Sequence, residues 1–536
     1  MTPITTNEWK FVALAGAAVA ILTCMPLIFG YVATPPGQVF LFNPSTNFYD
    51  YQVYYSQIAQ AKSGVIFFTD LFTSETQPMG LFNPFWLGVG IMAKILFLSP
   101  IAAFHLARLF TLPVLLVVMY YVAAFFFKEK LKRKISFLFL TFASGWGWLL
   151  ADHFKVLDFN VPEAFPITAM YSSAHFEASL GLLLLVFLFS VQAFSDYRLR
   201  HSLLAGICAL TLLSFHPYHT YTIFGVLGAY MTIELLRQKR LILDHIKHLV
   251  IVAVFSLPAI AYYLWALVAI PVKYEHFLQN VTLTPNFFIV AISYGMLLPL
   301  ALIGVFSILQ KKDKAPQDIF LVVWFFSQFA LLFLPIKTQI RLAMGLQCAM
   351  VLLTIHGIYL LKENALLEKI WLAFFGTMPP FIGKAFACIA FFIFFCLSPV
   401  LIFANDFHYY AQANTPLPLY TSQGTHEAIL WLNNTPENSV ILSTTRTGNL
   451  IPAASLRQIF LGHHHETAHW MEKELVFEYF LTIATDEERI MFLRQYGIDY
   501  FFFGPEEKKL ATFDPSTKSF FEKTFENELV TIFKVK

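Results

Sequence analysis

Eleven apolar runs punctuate this chain, most of them long enough to cross a bilayer as a helix. They fall near 11–33, 102–127, 135–151, 175–195, 202–217, 220–236, 249–270, 287–309, 319–336, 342–361 and 383–404. So many apolar runs have one economical solution, helices packed within lipid, because a membrane core offers no water to open backbone groups. Composition agrees: of 536 residues, 57% are hydrophobic, 60 are Phe and only 13% are charged, with a mean hydropathy of +0.62. A net charge of +2 gives a nucleic acid nothing to hold. Cys24, Cys208, Cys348, Cys388 and Cys396 all lie inside apolar runs, so neither a disulfide framework nor a thiolate metal site is expected. The first run follows a short tail holding Lys10, lacks a persuasive small-x-small cleavage site, and reads as an uncleaved signal anchor.

Basic clusters set the expected topology. Lys128–Lys134, Arg198 with Arg200, Arg237 to Lys247, Lys311 with Lys312 and Lys314, and Lys362 with Lys369 alternate so as to fall on one side, which the positive-inside rule makes cytoplasmic. That alternation requires 81–97 not to cross. With Pro84, Lys94 and about 17 residues, the lower limit for a helical span, it reads as an interfacial or re-entrant helix. The expectation is a polytopic α-helical protein of the plasma (inner) membrane with about eleven spans and a cytoplasmic N-terminus. Residues 1–404 form its membrane domain, with 34–101 as the first external loop, and 405–536 form a small extracytoplasmic α/β domain. The outer face then collects 34–101, the loop 152–174 with Asp152, His153, Asp158 and Glu163, then His216 and His219, the loop 271–286, the turn 337–341 and 405–536. The cytoplasmic loops are short, basic and without chemistry, so function faces outward.

In the first external loop, Asn47-Phe48-Tyr49-Asp50 leads into Tyr51, Tyr54, Tyr55, Ile58 and Ala61 at helical spacing. Such a helix suits the headgroup layer, where tyrosine is at home. Asp50 at its start is read both as a helix cap and as a catalytic carboxylate, two roles that coexist. Asp70 and Glu75 lie in a turn-rich stretch and read first as turn and cap residues.

In the C-terminal segment, strands are predicted at 439–443, 458–461, 500–503 and 530–535, and helices at 424–434, 470–482 and 485–496. Within it, His465-Glu466-Thr467-Ala468-His469 matches the H-E-x-x-H zinc-protease signature, which needs both histidines one helical turn apart with Glu466 as base. The match directly follows a predicted strand and Gly462, so His465 is expected to precede the helix. A membrane zinc protease is therefore the minor alternative.

Taken together, these parts resemble the GT-C superfamily of polyprenyl-phosphate-sugar-dependent membrane glycosyltransferases, which includes protein O-mannosyltransferases, the catalytic oligosaccharyltransferase subunit and the aminoarabinose transferase of lipid A. The resemblance rests on the Asp after span one, the interfacial helices before span two, acidic residues in the second external loop and a basic turn before a late span. The stretches that match uncharacterised bacterial members are 53–61, Phe82-Asn83-Pro84-Phe85, Phe104-His105-Leu106-Ala107-Arg108, Pro162-Glu163-Ala164-Phe165, His175-Phe176, His216-Pro217-Tyr218 and Thr447 to Pro452. The resemblance implies transfer of a sugar from a polyprenyl phosphate or pyrophosphate to a lipid, glycan or protein acceptor at the cell envelope. Such a reaction needs a base at the nucleophile and positive charge at the departing phosphate.

Asp50 is the candidate base, which predicts inversion at the anomeric carbon. Arg341 and Lys337 are candidates for the phosphate, Arg341 because an external arginine runs against the positive-inside tendency and binds phosphate oxygens two at a time. Arg108, two turns into its span, costs about 2.5–3.5 kcal/mol to insert at mid-helix and needs an anionic partner, with Asp152 or Glu163 the structural alternative to substrate. Glu163, His175, His216, Glu75 and Tyr54 complete the substrate-binding candidates. The cofactor is left open: a divalent metal is the candidate, with Glu163, His216, His465 and His469 as its weak ligands. Against a transferase stands a transporter or flippase for a lipid-linked glycan, which would show internal repeats and helices broken at the midplane; no repeat is visible here.

Overall fold

The computed structural model describes residues 3–363, 380–412, 415 and 417–536. Lys369 of the expected cytoplasmic cluster lies outside the described residues. Contacts divide the chain into two units, one of 1–24, 108–263 and 282–405, the other of 25–107, 264–281 and 406–536. The second unit thus gathers most of 405–536 with the first loop and a later segment, whereas the sequence reading divides the chain at 404.

The membrane character is plain in the helices. Thr6–Val32, Pro100–Phe126, Ala174–Asp196, Leu243–Ala269 and Gln339–Lys362 are long and apolar enough to span, and two bent pairs raise the number to seven among the described residues. The molecule is a multi-pass membrane protein. Other expected runs are helical but short: Leu199–Leu213 has 15 residues and Pro316–Leu331 has 16. The run at 135–151 is not one helix. It ends at Phe142, because Ser144 turns its backbone N–H to the Phe395 carbonyl (2.6 Å) and Gly145 lies where a Cβ would meet the Ser293 carbonyl at 1.9 Å. The run at 287–309 breaks by 84° at Gly295, whose φ of +51° suits a residue without a side chain. The last run bends by 71° beside Cys396.

In the first unit, helix Leu297–Leu309 crosses Leu346–Lys362 through glycines: a Cβ on Gly304 would meet the Leu353 carbonyl at 1.9 Å, and one on Gly357 the Leu300 carbonyl at 2.3 Å. Small residues let backbones approach where lipid offers no hydrophobic drive between helices. Two buried polar side chains are paired within it: Gln328 Nε2 donates to the Leu342 and Met344 carbonyls, and Arg133 meets Glu8 at 3.2 Å with both side chains 1% exposed.

In the second unit, a five-stranded sheet runs in the order Gln458–Ile459, Val440–Leu442, Tyr500–Phe503, Thr531–Val535 and Phe521–Glu526. The first three strands are parallel and the last two join antiparallel. Side chains alternate between two faces, as strand geometry demands. Leu442, Phe460, Phe501 and Phe533 pack with Phe477 and Phe480 of helix Trp470–Thr482 on one face. Ile441, Ile459, Phe502 and Ile532 pack with Val53 and Phe72 on the other, which seats helix Asp50–Ser63 against the sheet. Helix Pro84–Ile95 lies on Asp50–Ser63 at Gly90, where a Cβ would stand 2.1 Å from that of Ala61. At 12 residues it is about 18 Å long, short of the roughly 30 Å hydrocarbon layer.

Candidate functional site

Asp50 is the first residue of its helix, and Tyr49 takes the N-cap position with no side-chain capping bond. The cap reading is thereby corrected. The Asp50 carboxylate turns instead to His463, with Oδ1 3.0 Å from Nε2. On the other side of that ring, Nδ1 accepts the backbone N–H groups of His465 and Glu466, each at 3.2 Å. Two N–H donors on Nδ1 require the proton to sit on Nε2, so His463 donates to Asp50. The histidine side chain is 3% exposed and the aspartate 35%: a buried ring holds a carboxylate that remains open to solvent.

Around this pair, the Tyr54 ring stacks on Trp86 at 4.9 Å and lies parallel to Phe104 at 6.0 Å, an aromatic stack beneath the Asp50 helix. Glu75 pairs with Lys473 at 2.7 Å and accepts from Thr73 Oγ1. Burial pushes the Lys473 ammonium down, against the opposing charge of Glu75. Asp70 makes the turn expected of it, its Oδ1 accepting from Phe72 N at 2.9 Å while Gln77 clamps its backbone from both sides.

Asp70 Oδ2 meets a second group. His276 Nε2 lies at 3.1 Å and Lys273 Nζ at 3.6 Å, while Glu466 Oε2 is 3.4 Å from Lys273 and 3.2 Å from His276 Nδ1. Burial raises the Asp70 carboxyl to about 7, the nearby Lys273 opposing and Glu466 adding to the rise. Burial would raise Glu466 as well, yet above all the Lys273 charge holds it well below the usual carboxylate range. His276 is pushed down to about 3 by burial and then by Lys273, so its ring is neutral. Lys273, His276, His463 and Lys473 were missed by sequence reasoning: each is a single residue in an unremarkable stretch, and only tertiary contact reveals its partners.

The first unit assembles another set. The 3-10 turn Pro162–Ala164, with Glu163, packs against the 3-10 turn Gln339–Ala343, with Arg341. The Arg341 guanidinium lies 5.8 Å from the centre of the Tyr218 ring, which is 5.1 Å from His216, itself 5.0 Å from His175. Ser179 holds His216 Nδ1 at 2.5 Å and Ser173 holds His175 Nδ1 at 2.6 Å. The carbonyl of Lys337 accepts from Thr282 N at 2.7 Å, which ties the Arg341 turn to the 282 segment. Arg108 stands apart from this set. It is 1% exposed, its guanidinium donates to the Thr23 and Met170 carbonyls at 3.3 and 3.0 Å, and the acid whose charge it meets is Glu177 rather than Asp152 or Glu163.

Residues 463–469 form turns and the helix starts only at Trp470, so His465 and His469 do not share a helix face and the zinc-protease geometry is missing. Neither they nor Glu163 and His216 belong to a group of three or more metal-capable side chains. Among the described residues that group is Asp70, His276 and Glu466.

No family model and no curated protein matches the sequence. Solved structures do match. The apo oligosaccharyltransferase of Archaeoglobus fulgidus superposes with a TM-score of 0.55 at 11% identity over 91% of this chain and 69% of that one. The same archaeal enzyme in complex with an inhibitory peptide and a dolichol-phosphate gives 0.53 at 12% identity, with the same coverage. The arabinofuranosyltransferase AftD from Mycobacteria gives 0.52 at 13% identity over 99% of this chain and 42% of its own. The fold is the GT-C fold. At these identities the likeness is one of fold, and the GT-C architecture here carries its own set of side chains around Asp50.

Proposed function

We propose that this protein transfers a sugar from a polyprenyl-phosphate or pyrophosphate donor to an acceptor on the extracytoplasmic side of the plasma membrane. Asp50 acts as base on the acceptor, and the anomeric carbon inverts. The observation that carries this reading is the Asp50–His463 pair: a carboxylate 35% exposed at a helix N-terminus, held at 3.0 Å by a buried N–H, in a chain with the GT-C fold. Proton removal from a hydroxyl or amine requires an accepting carboxylate within reach of the acceptor, and Asp50 offers an exposed one held in place by His463. Arg341 and Lys337 supply the positive charge that the departing phosphate needs, with Glu163, His175 and His216 shaping the setting of Arg341. Glu75 and Tyr54 are the substrate-binding candidates of the first loop, while Arg108, buried with its guanidinium on two backbone carbonyls, serves the packing of its span. The dolichol-phosphate and peptide bound by the archaeal oligosaccharyltransferase support a lipid-linked donor and a separate acceptor for this chain. The division at 404 into a membrane domain and an extracytoplasmic α/β domain, and a cytoplasmic N-terminus, belong to the same reading.

The test is transfer of a radiolabelled sugar from a polyprenyl-phosphate donor in membranes. Asp50→Asn is expected to fold and to lose about 100- to 10,000-fold of the rate, the span of general-base catalysis. Full activity in that variant overturns the assignment. The flippase reading draws on one observation, the helices bent by 84° and 71°. Movement of lipid-linked sugar across proteoliposomes without any new glycosidic bond would favour it.

A further inference from the structure

The group of Asp70 and His276, both buried, with the partly exposed Lys273 and Glu466 has no part in the transfer chemistry proposed above. Three distant stretches build it: the turn after helix Asp50–Ser63, helix Pro271–Gln279, and the turn before helix Trp470–Thr482. One ligand-capable atom from each of Asp70, His276 and Glu466 lies within 4.8 Å of the other two. The 3.1 Å between His276 Nε2 and Asp70 Oδ2 is the spacing of two donors that share a metal ion, each about 2.0–2.2 Å from it.

A second observation is independent of that spacing. Asp70 Oδ2 and His276 Nε2 are buried, and neither has a hydrogen bond, because their mutual approach lacks hydrogen-bond geometry. The Asp70 side chain is 3% exposed. A void of about 20 Å³ borders Asp70, Glu466 and Lys273, and Ser56 and Gln57 line it as well. Ser56 Oγ and Gln57 Oε1 are likewise buried without hydrogen bonds. Buried polar atoms without partners are uncommon, and a void of this size admits a single small occupant. The Asp70 and Glu466 carboxylates and the Ser56 and Gln57 oxygens offer lone pairs there, which a small cation can use.

We propose that Asp70, His276 and Glu466 bind one divalent transition-metal ion of the zinc or manganese class. Imidazole nitrogen with two carboxylates suits these ions better than the all-oxygen preference of magnesium or calcium. Lys273 is the counter-charge that the ion displaces. Its Nζ stands 3.6 and 3.4 Å from the two carboxylates, looser than the 2.7 Å pair of Lys473 with Glu75. Bound there, the ion ties three chain segments together. It also fixes the Glu466 turn, whose backbone N–H holds His463 against Asp50.

The full-length protein, purified in detergent and stripped with chelator, is titrated with zinc, manganese, magnesium or calcium chloride. Thermal unfolding and bound-metal content are both read. About one equivalent of zinc or manganese is expected to bind and to raise Tm by mass action, with magnesium and calcium weaker. His276→Ala and Glu466→Gln are expected to weaken zinc binding by about 100-fold or more, while Lys273→Met tightens it. Retention of no metal by the wild type, with no Tm change in zinc or manganese, overturns the proposal whether or not the variants fold. So does a Lys273→Met protein that is less stable without binding zinc more tightly, the mark of a plain ion-pair cluster. Sugar transfer is not the readout, so this result and that for Asp50→Asn stand apart.

Discussion

His463 shows how one side chain can set the chemistry of another far away in sequence. Its two ring nitrogens are committed, Nδ1 to backbone donors and Nε2 to Asp50, so the ring can hold the carboxylate in only one orientation. Replacing it by alanine is expected to lower kcat by roughly 10- to 100-fold with little change in KM, since the proposed mechanism gives the donor phosphate to Arg341 and Lys337. Equal loss through KM would mean that His463 binds substrate. A residue-scale effect on stability is expected at Glu507, whose carboxylate accepts from Thr444 N and Oγ1 at 2.8 Å each and from Gly504 N at 3.0 Å. Burial pushes its pKa above the ordinary 4.5 despite those bonds. A raised folded-state pKa means a contribution to stability that is full below pH 4.5 and fades as pH rises through the raised value. Melting temperatures from pH 4 upward should therefore fall less steeply for Glu507→Gln than for the wild type, whatever their absolute offset.

At the scale of elements, close approach is bought with glycine. Gly90 lets helix Pro84–Ile95 lie on helix Asp50–Ser63, where an added methyl would collide with Ala61 and come 3.0 Å from the Ile58 carbonyl. Gly90→Ala is expected to destabilise the protein by about 1–3 kcal/mol and to tilt the helix that carries Asp50, so transfer should fall as well. Gly88, two residues away, has nothing within 4 Å of its would-be Cβ, and Gly88→Ala serves as the neutral control for the melting comparison. The same logic applies to Gly304 and Gly357, where the obstacle is backbone carbonyl rather than a movable side chain.

At the scale of the whole molecule, the membrane reading predicts compartments. Reporter fusions after residue 130 should report the cytoplasm, and fusions within 420–536 the opposite side. A C-terminal segment reporting the cytoplasm would reverse the orientation and with it the side on which transfer is proposed. Among the described residues five helices are long and apolar enough to span, seven if each bent pair counts as one, fewer than the eleven runs expected because helices such as Leu199–Leu213 and Pro316–Leu331 are short.

Much of this architecture could be read from local pattern. Long apolar runs announce membrane helices because backbone groups in lipid must be satisfied within the segment. The helix 470–482 and the strand 500–503 were expected at the limits where they occur, and both have strong local signals: 3.6-residue apolar spacing in one, consecutive aromatic residues in the other. Strand Phe521–Glu526 escaped notice because only Phe521 in it is well buried and its register is interrupted between Lys523 and Phe525. Asp50 was conspicuous as an acid at the start of an amphipathic helix. Its partner was not, since nothing in His463-His464-His465 distinguishes the ring that faces a residue 413 positions away. The same holds for the Asp70, Lys273, His276 and Glu466 group. Periodicity and capping act over a few residues and leave their mark in sequence, whereas a buried polar cluster is defined by distances across chain ends that local pattern never encodes.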